Sequence, residues 1–221
     1  MKNFRIFVLL APLITSFVYA KSDAAKIGPI PTIQNASPAL NKSLHALRMR
    51  IASDAQDCLG NAKGMEAVGE YNASIKEILD TSKIAVLEVS ESMICDGIHS
   101  SSYQYGLAFH KITGKRFDLS QIYNIATRQD GHLFLRPELG SSARASYRQA
   151  NKNSGACLDG TGWETELMNI PITFAPQPDG SVILYYAAPD ASAACFPSLR
   201  LPPDAISEFR DGKQASQYEL P

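Results

Sequence analysis

The sequence predicts an α+β fold, in which an antiparallel sheet packs against an N-terminal amphipathic helix and several shorter helices. In one long stretch, apolar residues recur every three or four positions, which is the period of a helix with one buried face. Later stretches alternate apolar with polar residues, which is the period of a half-buried strand. Short turn signals separate these stretches, so we expect neighbouring strands to run antiparallel, as a meander followed by a C-terminal hairpin.

Residues 1–20 have the pattern of an export signal and are excluded from the predicted fold. Lys2 and Arg5 precede an almost uninterrupted apolar run, which is shorter than the roughly twenty residues that a membrane-spanning helix needs. Val18-Tyr19-Ala20 predicts cleavage after Ala20, and an uncleaved anchor is the alternative. We therefore expect one domain over residues 21–221, periplasmic or secreted, without membrane insertion after cleavage.

The exported chain carries little net charge. Without Lys2 and Arg5 it has 19 basic and 22 acidic residues, a formal charge of −3. It contains no run of Lys and Arg residues. A nucleic-acid partner would require a basic patch to neutralise phosphates, so this class of function is excluded. Nothing in the sequence indicates the oligomeric state.

All four cysteines, Cys58, Cys95, Cys157 and Cys195, lie in the exported part of the chain. An even number in an oxidising compartment predicts two disulfides, for which three connectivities are possible. Consecutive pairing is favoured, with separations of 37 and 38 residues. Each disulfide would raise the free energy of unfolding by about 4 kcal/mol, because it restricts the entropy of the unfolded chain. No C-x-x-C or H-x-x-x-H spacing suggests zinc, and no metal or other cofactor is predicted.

The long N-terminal helix is predicted to begin at Ser37, an N-cap residue, and Pro38, which suits the first turn. Leu59-Gly60 is its expected end. Before it, residues 27–31 predict an edge strand or an extended arm, because proline cannot donate to a strand ladder. The apolar stripe of the helix consists of Leu40, Leu44, Leu47, Ile51, Ala55 and Cys58.

Three strands over residues 70–79, 84–95 and 103–112 are predicted to form the antiparallel meander. The first helix should pack on the apolar face of this sheet. Cys58 ends the helix and Cys95 ends the second strand, so a bond between them would join helix to sheet.

A helix over residues 118–126 is predicted next, because Asp118 is placed as a cap and Gln121 can complete a capping box. A further helix is predicted near residues 138–151. The Gly- and Asn-rich segment 151–162, which contains Cys157, is predicted to be a loop.

The C-terminal hairpin is predicted from residues 170–174 and 182–186, which alternate on either side of a Pro-Asp-Gly turn. A short strand over 195–201 and a helix over 203–209 follow. The polar tail from Asp211 is expected to fray.

Several short motifs follow one another along the chain: Cys95-Asp96-Gly97-Ile98-His99, Ile112-Thr113-Gly114-Lys115, Phe117-Asp118-Leu119, Asp179-Gly180 before a strand, and Cys195 leading to Leu201-Pro202. Together they resemble the PdaC/RsiV-like exported domains of peptidoglycan deacetylases and lysozyme-sensing anti-sigma factors. The resemblance covers roughly residues 25–210. It implies an α+β fold with an antiparallel sheet, and a surface that contacts a lysozyme-like protein or cell-wall glycan.

Two features depart from that family. After the glycine, here Gly97, the family usually has a small residue followed by His and Pro. This sequence has Ile98-His99-Ser100 there. The sequence shows no deacetylase domain and no anchoring helix besides the signal, so we expect a standalone member. The sensor and enzyme roles of the family therefore do not carry over.

The candidate catalytic patterns are weak. Ser100-Ser101-Ser102 beside His99 lacks the G-x-S-x-G context of a serine nucleophile, and a polar loop explains it better. Glu164 and Glu166 beside Trp163 could serve a glycosidase, but one tryptophan among acidic residues is also common by chance. The four histidines are too scattered to suggest a metal site.

The leading hypothesis is therefore a non-enzymatic periplasmic binding protein that inhibits or senses a lysozyme-like or other cell-wall-active protein. One alternative is a module that binds or modifies peptidoglycan, with Trp163 as sugar platform and Glu164 or Glu166 as acid. Another is a structural envelope protein of unknown partner. Recognition is expected on loops. The candidate surface consists of His99, Ser100, Tyr103, Trp163 and Glu164.

Overall fold

The computed structural model describes residues 24–159 and 162–221. The predicted signal and its cleavage site thus lie outside the described residues. In the part that is described, no helix combines the length and apolar character needed to cross a membrane. The α+β class is confirmed, with two sheets in place of one.

The first sheet has four strands in the order β1-β2-β3-β4. They are Ala24–Ile27, Glu70–Asp80, Ile84–Ile94 and Ser100–His110. β1 runs parallel to β2, and the other two pairs are antiparallel. The predicted meander is therefore confirmed, and the predicted edge strand lies slightly earlier than residues 27–31.

The long helix α1, Pro38–Gly64, packs on one face of this sheet. The Ser37 hydroxyl accepts a hydrogen bond from the Leu40 N–H at 3.1 Å, which confirms the predicted cap. The predicted end at Leu59-Gly60 was wrong, because the helix continues for another turn. A glycine inside a helix costs only about 1 kcal/mol. Burial of Ala62, which is 0% exposed, favours that extra turn.

The second sheet has five strands in consecutive order. Strands β5 to β9 are Ala126–Gln129, His132–Leu135, Ile172–Pro176, Val182–Tyr186 and Leu199–Leu201. All four pairings are antiparallel. The predicted C-terminal hairpin is confirmed as β7 and β8, whereas the predicted strand 195–201 shortens to its last three residues.

Shorter helices surround the second sheet. Helices α2 to α7 are Gly140–Ala150, Gly155–Asp159, Trp163–Asn169, Asp190–Ala193, Pro203–Ile206 and Gly212–Gln217. The predicted helix near 138–151 is confirmed as α2. The predicted loop over 151–162 was wrong in part, because α3 lies within it, and α4 was not predicted.

The predicted helix over 118–126 was also wrong. Asp118 does cap a helical turn, accepting the Ser120 N–H at 3.1 Å, but that turn is a short 3₁₀ helix, Leu119–Gln121. The Asn124 N–H then bonds the Phe209 carbonyl at 2.7 Å, and Ala126 opens β5. Contacts with a distant segment therefore override the local helical pattern.

The predicted frayed tail is instead ordered. Asp211 caps α7 by accepting the N–H groups of Lys213 and Gln214, both at 3.0 Å. Leu220 is only 4% exposed. Leu220 belongs to the hydrophobic core around the second sheet, which we call the second core, and the Pro221 carbonyl oxygen accepts from Arg210 Nε at 2.6 Å.

A buried ion pair joins three separate segments. Lys111 Nζ lies 2.7 Å from Asp80 Oδ1, and the two side chains are 5% and 8% exposed. Lys111 also donates to the Thr81 carbonyl at 2.9 Å, while Asp80 Oδ2 accepts the Gln34 N–H at 2.7 Å. This pair ties the β2–β3 turn to the chain before α1 and the chain after β4.

The two sheets pack on each other through β3 and β4. Leu87 and Val89 face α1, whereas Ile84 and Val86 belong to the core shared with the second sheet. The two backbones come close together at Gly106, whose N–H donates to Thr173 Oγ1 at 2.9 Å. A Cβ atom there would lie 2.4 Å from the Phe174 carbonyl oxygen, so only glycine permits this contact.

Candidate binding cleft between the two sheets

A cleft of about 1100 Å³ lies where the first sheet extends beyond its contact with the second. The boundary is the row formed by Glu88 and Gly106, which are paired neighbours on β3 and β4. On one side of this row, Val86 and Ala108 pack against the second sheet. On the other side, the same face of the first sheet turns polar and lines the cleft.

The first wall consists of small polar side chains and one lysine. Alternate residues of a strand point to the same face, so side chains on β1 to β4 form rows across the sheet. One row pairs Asn72 with Ser92 and Ser92 with Ser102, and the next pairs Ser74 with Ser90 and Ser90 with Gln104. The polar side chains of this wall are Lys26, Asn72, Ser74, Ser90, Ser92, Ser102 and Gln104.

The opposite wall contains three aromatic residues and is called the aromatic wall. It is formed by Tyr185, Tyr186 and Phe196, with the segment from Ala193 to Ser198. The Tyr185 hydroxyl donates to Glu88 Oε2 at 2.6 Å and thereby joins the two sheets at the boundary row. Burial, with the hydrogen bond to this carboxylate, raises the pKa of Tyr185, which therefore remains a neutral donor.

Tyr186 differs from its neighbour in having an unsatisfied polar group. The residue is 7% exposed, and its hydroxyl has no hydrogen-bond partner among the described residues. Burial raises the pKa of this hydroxyl, so it too stays neutral. Buried polar groups almost always have a partner, and the buried hydroxyl of Tyr186 is therefore an exception among the described residues.

A smaller lobe of about 360 Å³ continues the cleft toward the ends of β3 and β4. It is lined by Glu70, Ser100, Ser101, Ser102 and Asp190, among others. The Tyr103 hydroxyl donates to Asp190 Oδ1 at 2.7 Å, which ties α5 to the first sheet. This hydrogen bond, with burial, raises the pKa of Tyr103.

Two disulfides hold the parts of the molecule around the cleft. Cys58–Cys95 joins α1 to the end of β3, and Cys157–Cys195 joins α3 to the segment after α5. The predicted pairing is confirmed. The second bond lies next to Phe196 in the cleft wall, and Asn151 Nδ2 donates to the Cys195 carbonyl at 3.1 Å. The wall is thus covalently anchored.

The five residues of the predicted surface fall into two separate groups. Ser100 lines the smaller lobe, and Tyr103 is attached to its far wall. His99 lies in the preceding loop, where Asp96 Oδ1 accepts the N–H groups of Ile98 and His99 at 2.9 and 2.7 Å. These hydrogen bonds hold the pKa of Asp96 well below its usual range, and the bond from the His99 N–H contributes most.

Trp163 and Glu164 lie on α4, beside the second sheet. The indole stacks on Tyr147, with ring centroids 4.3 Å apart and planes 10° apart. The guanidinium of Arg148 lies 5.4 Å from the centre of the indole ring and pairs with Glu164 at 2.7 Å. Both side chains therefore already have partners within the protein.

An acidic groove of about 330 Å³ lies on the other side of the first sheet. It is lined by Asp54 and Asp57 of α1 and by Glu91. Both oxygens of Glu91 are occupied, by the Tyr71 hydroxyl at 3.0 Å and the Tyr105 hydroxyl at 2.9 Å. Burial, with the charge of Glu91, raises the pKa of Tyr105 to about 12.

Within the two described ranges, no cluster of His, Cys, Asp and Glu residues could hold a metal ion.

The residues that sequence reasoning missed are those of the polar wall and of its aromatic counterpart. A signal was present, because the residues facing away from α1 change along β3 from Ile84 and Val86 to Ser90 and Ser92. Such a change marks the point where one sheet ceases to cover another.

No known protein-family profile matches this sequence, and no curated protein matches it significantly. Among solved structures, it is similar to a DUF3298 family protein from Pseudomonas aeruginosa PAO1, with 16% identity and a TM-score of 0.34. That match covers 65% of this chain and 63% of the other, which is less than two thirds of that protein.

A member of the DUF3298 family from Bacteroides fragilis NCTC 9343 is also similar, with 14% identity and a TM-score of 0.46. The match covers 80% of this chain and 67% of that one. Both TM-scores are below 0.5, so these similarities do not establish a common fold. Both of these solved structures are DUF3298 family proteins.

Proposed function

We propose that this protein is an exported PdaC/RsiV-like domain that works by binding, and that the cleft between its sheets binds a cell-wall glycan. The observation that carries this proposal is the pairing of a wall of small polar side chains with an aromatic wall. Binding sites commonly combine apolar surface with a few placed polar groups.

The chemistry of the two walls suits a saccharide. Sugar hydroxyl and N-acetyl groups need both donors and acceptors, and serine, asparagine and glutamine side chains supply both. Neighbouring strands are about 4.8 Å apart, so side chains on three strands extend over about 10 Å, roughly the length of a disaccharide. The apolar faces of sugar rings can pack on the opposite wall, where Ala193, Ala194 and Pro197 lie beside the aromatic residues.

Binding without turnover is favoured by the state of the nearby carboxylates. A glycosidase needs two carboxylates that face each other across the scissile bond. Around this cleft, Glu88 is held by Tyr185 and Asp190 by Tyr103. Glu91 lies on the opposite face of its strand, where it accepts two tyrosine hydroxyls.

The test is calorimetric titration of the protein with N-acetylglucosamine oligomers and soluble muropeptides, while product release is followed in parallel. We expect saturable binding without product. Asn72→Ala and Gln104→Ala should each weaken it about fivefold or more, since each removes a hydrogen-bonding side chain worth about 1 kcal/mol. Gln149→Ala, at an exposed position on α2, is the matched control. Binding that is equal in all three variants, or no binding at all, would refute the proposal.

The acidic groove favours a second candidate, a lysozyme-like protein with a basic surface. Asp54 and Asp57 lie one turn apart on the exposed face of α1, and Tyr103 adjoins them. Neither carboxylate has an ion-pair partner in the part of the chain that the structure describes, and such carboxylates steer a basic partner toward the site and raise its association rate. Asp54→Asn with Asp57→Asn should slow association with a basic lysozyme and leave glycan binding unchanged. An unchanged association rate would exclude this groove as the docking surface.

A further inference from the structure

We infer that the ligand of the cleft carries a carboxylate, and that Lys26 holds it. This inference rests on the proposed function and specifies the class of glycan. Lys26 lies on β1, opposite Asn72 of β2, and lines the main cleft. Its side chain is exposed, and the described residues include no hydrogen-bond or ion-pair partner for its ammonium group.

Lys26 stands at the end of a polar row that crosses the sheet. The register places Asn72, Ser92 and Ser102 in line after it, one residue on each strand. Four strands at about 4.8 Å spacing give this row a length of about 14 Å. An extended ligand lying along the row would therefore have one end beside an ammonium group.

The main cleft and the smaller lobe differ in the charged residues that line them. Lys26 lines the main cleft, whereas the carboxylates of Glu70 and Asp190 line the smaller lobe. Glu88, at the boundary with the second sheet, is hydrogen-bonded to Tyr185. An anionic group would thus be attracted to the end of the row at β1, where Lys26 lies.

Cell-wall glycans offer such a group from two sources. A peptide-free glycan of alternating N-acetylglucosamine and N-acetylmuramic acid carries free lactyl carboxylates. In a muropeptide the lactyl carboxyl is bound as an amide, and the carboxylates belong to the stem peptide. An oligomer of N-acetylglucosamine has the same linkage and N-acetyl groups but no charge.

The experiment compares these three probes by calorimetry on the wild-type protein and on Lys26→Gln and Lys26→Arg. We expect the wild type to bind at least one anionic probe about three- to tenfold more tightly than the neutral oligomer. Lys26→Gln should abolish that preference without changing affinity for the neutral oligomer, and Lys26→Arg should keep it. About 1 M salt, where the Debye length is about 3 Å, should also abolish it.

Lys42→Gln, on the solvated face of α1, is the matched control for the loss of one positive charge. Thermal unfolding of each variant verifies that the fold is retained. Equal affinity for neutral and anionic probes, or a preference that survives Lys26→Gln, would overturn the inference while leaving glycan binding intact. Absence of binding to all three probes would instead refute the proposed function. A preference between the two anionic probes identifies the source of the carboxylate.

Discussion

Substitution of Gly106 by alanine should separate the two sheets. The added Cβ would lie 2.4 Å from the Phe174 carbonyl oxygen and 2.8 Å from its carbonyl carbon. Both atoms are backbone, so no side-chain rotation can relieve the overlap. Because Cβ atoms essentially never approach another heavy atom within 3.0 Å, the sheets must move apart by more than half an ångström.

The cost follows from the contacts at this point. Overpacking of a core typically costs about 1–3 kcal/mol. The hydrogen bond from the Gly106 N–H to Thr173 Oγ1, 2.9 Å long, would also stretch and contribute about 1 kcal/mol. We expect Gly106→Ala to lower the free energy of unfolding by about 2–4 kcal/mol, a large part of the 5–15 kcal/mol of a typical domain.

Urea unfolding provides the measurement, with circular dichroism for the whole chain and fluorescence of Trp163, its single tryptophan, for the second core. Gly60→Ala is the matched control, since its Cβ would meet nothing within 4 Å. Gly60 lies inside α1, so this change should stabilise the protein by about 0.5–1 kcal/mol. A free energy of unfolding for Gly106→Ala within about 0.5 kcal/mol of the wild-type value would show that the close backbone contact does not set the spacing of the sheets.

Three further predictions concern single contacts, and each is measured by urea unfolding. Tyr185→Phe should cost about 1.5–3 kcal/mol, because Glu88 loses a donor, whereas Tyr186→Phe should be neutral or stabilising, because its hydroxyl has no partner among the described residues; equal losses would contradict this. Asp80→Ala should cost about 3–5 kcal/mol by leaving Lys111 buried without its counter-charge. Simultaneous replacement of Asp80 by leucine and Lys111 by methionine should lower the free energy of unfolding by less than Asp80→Ala does. A larger loss of stability in the double variant would contradict this prediction. Alanine at both cysteines of either disulfide should cost about 2–4 kcal/mol. Only loss of the second bond should also weaken glycan binding, because that bond anchors the cleft wall.

The elements that sequence reasoning recovered are those that depend on local pattern. The cap at Ser37, the apolar stripe of α1 and the alternation in β2 and β3 each lie within one segment, and the structure confirms them. The errors occurred where distant segments decide the conformation. Asn124 is drawn out of a helix by the Phe209 carbonyl, and the tail is ordered by Leu220 and Arg210.

The cleft could not be predicted, because it depends on how far one sheet covers the other. Gly106 lies at the row where that coverage ends, and in the sequence it is only one small residue in an alternating strand. Of the predicted surface, Ser100 lines the smaller lobe, whereas Tyr103 lines the acidic groove and reaches the lobe only through its hydrogen bond to Asp190. Trp163 was singled out by residue type, and its stacking on Tyr147 depends on the unpredicted helix α4.

The consecutive order of the disulfides has a consequence for biogenesis. If the chain crosses a membrane with its amino end first, Cys58 and Cys95 reach the oxidising side before Cys157 has entered it. Cys58 and Cys95 can then form their native bond before the other two thiols arrive, and only Cys157 and Cys195 remain to pair. We therefore expect the protein to reach its native bonds by oxidation alone, without an isomerase to reshuffle them. Secretion in cells that lack a disulfide isomerase should proceed at the normal yield.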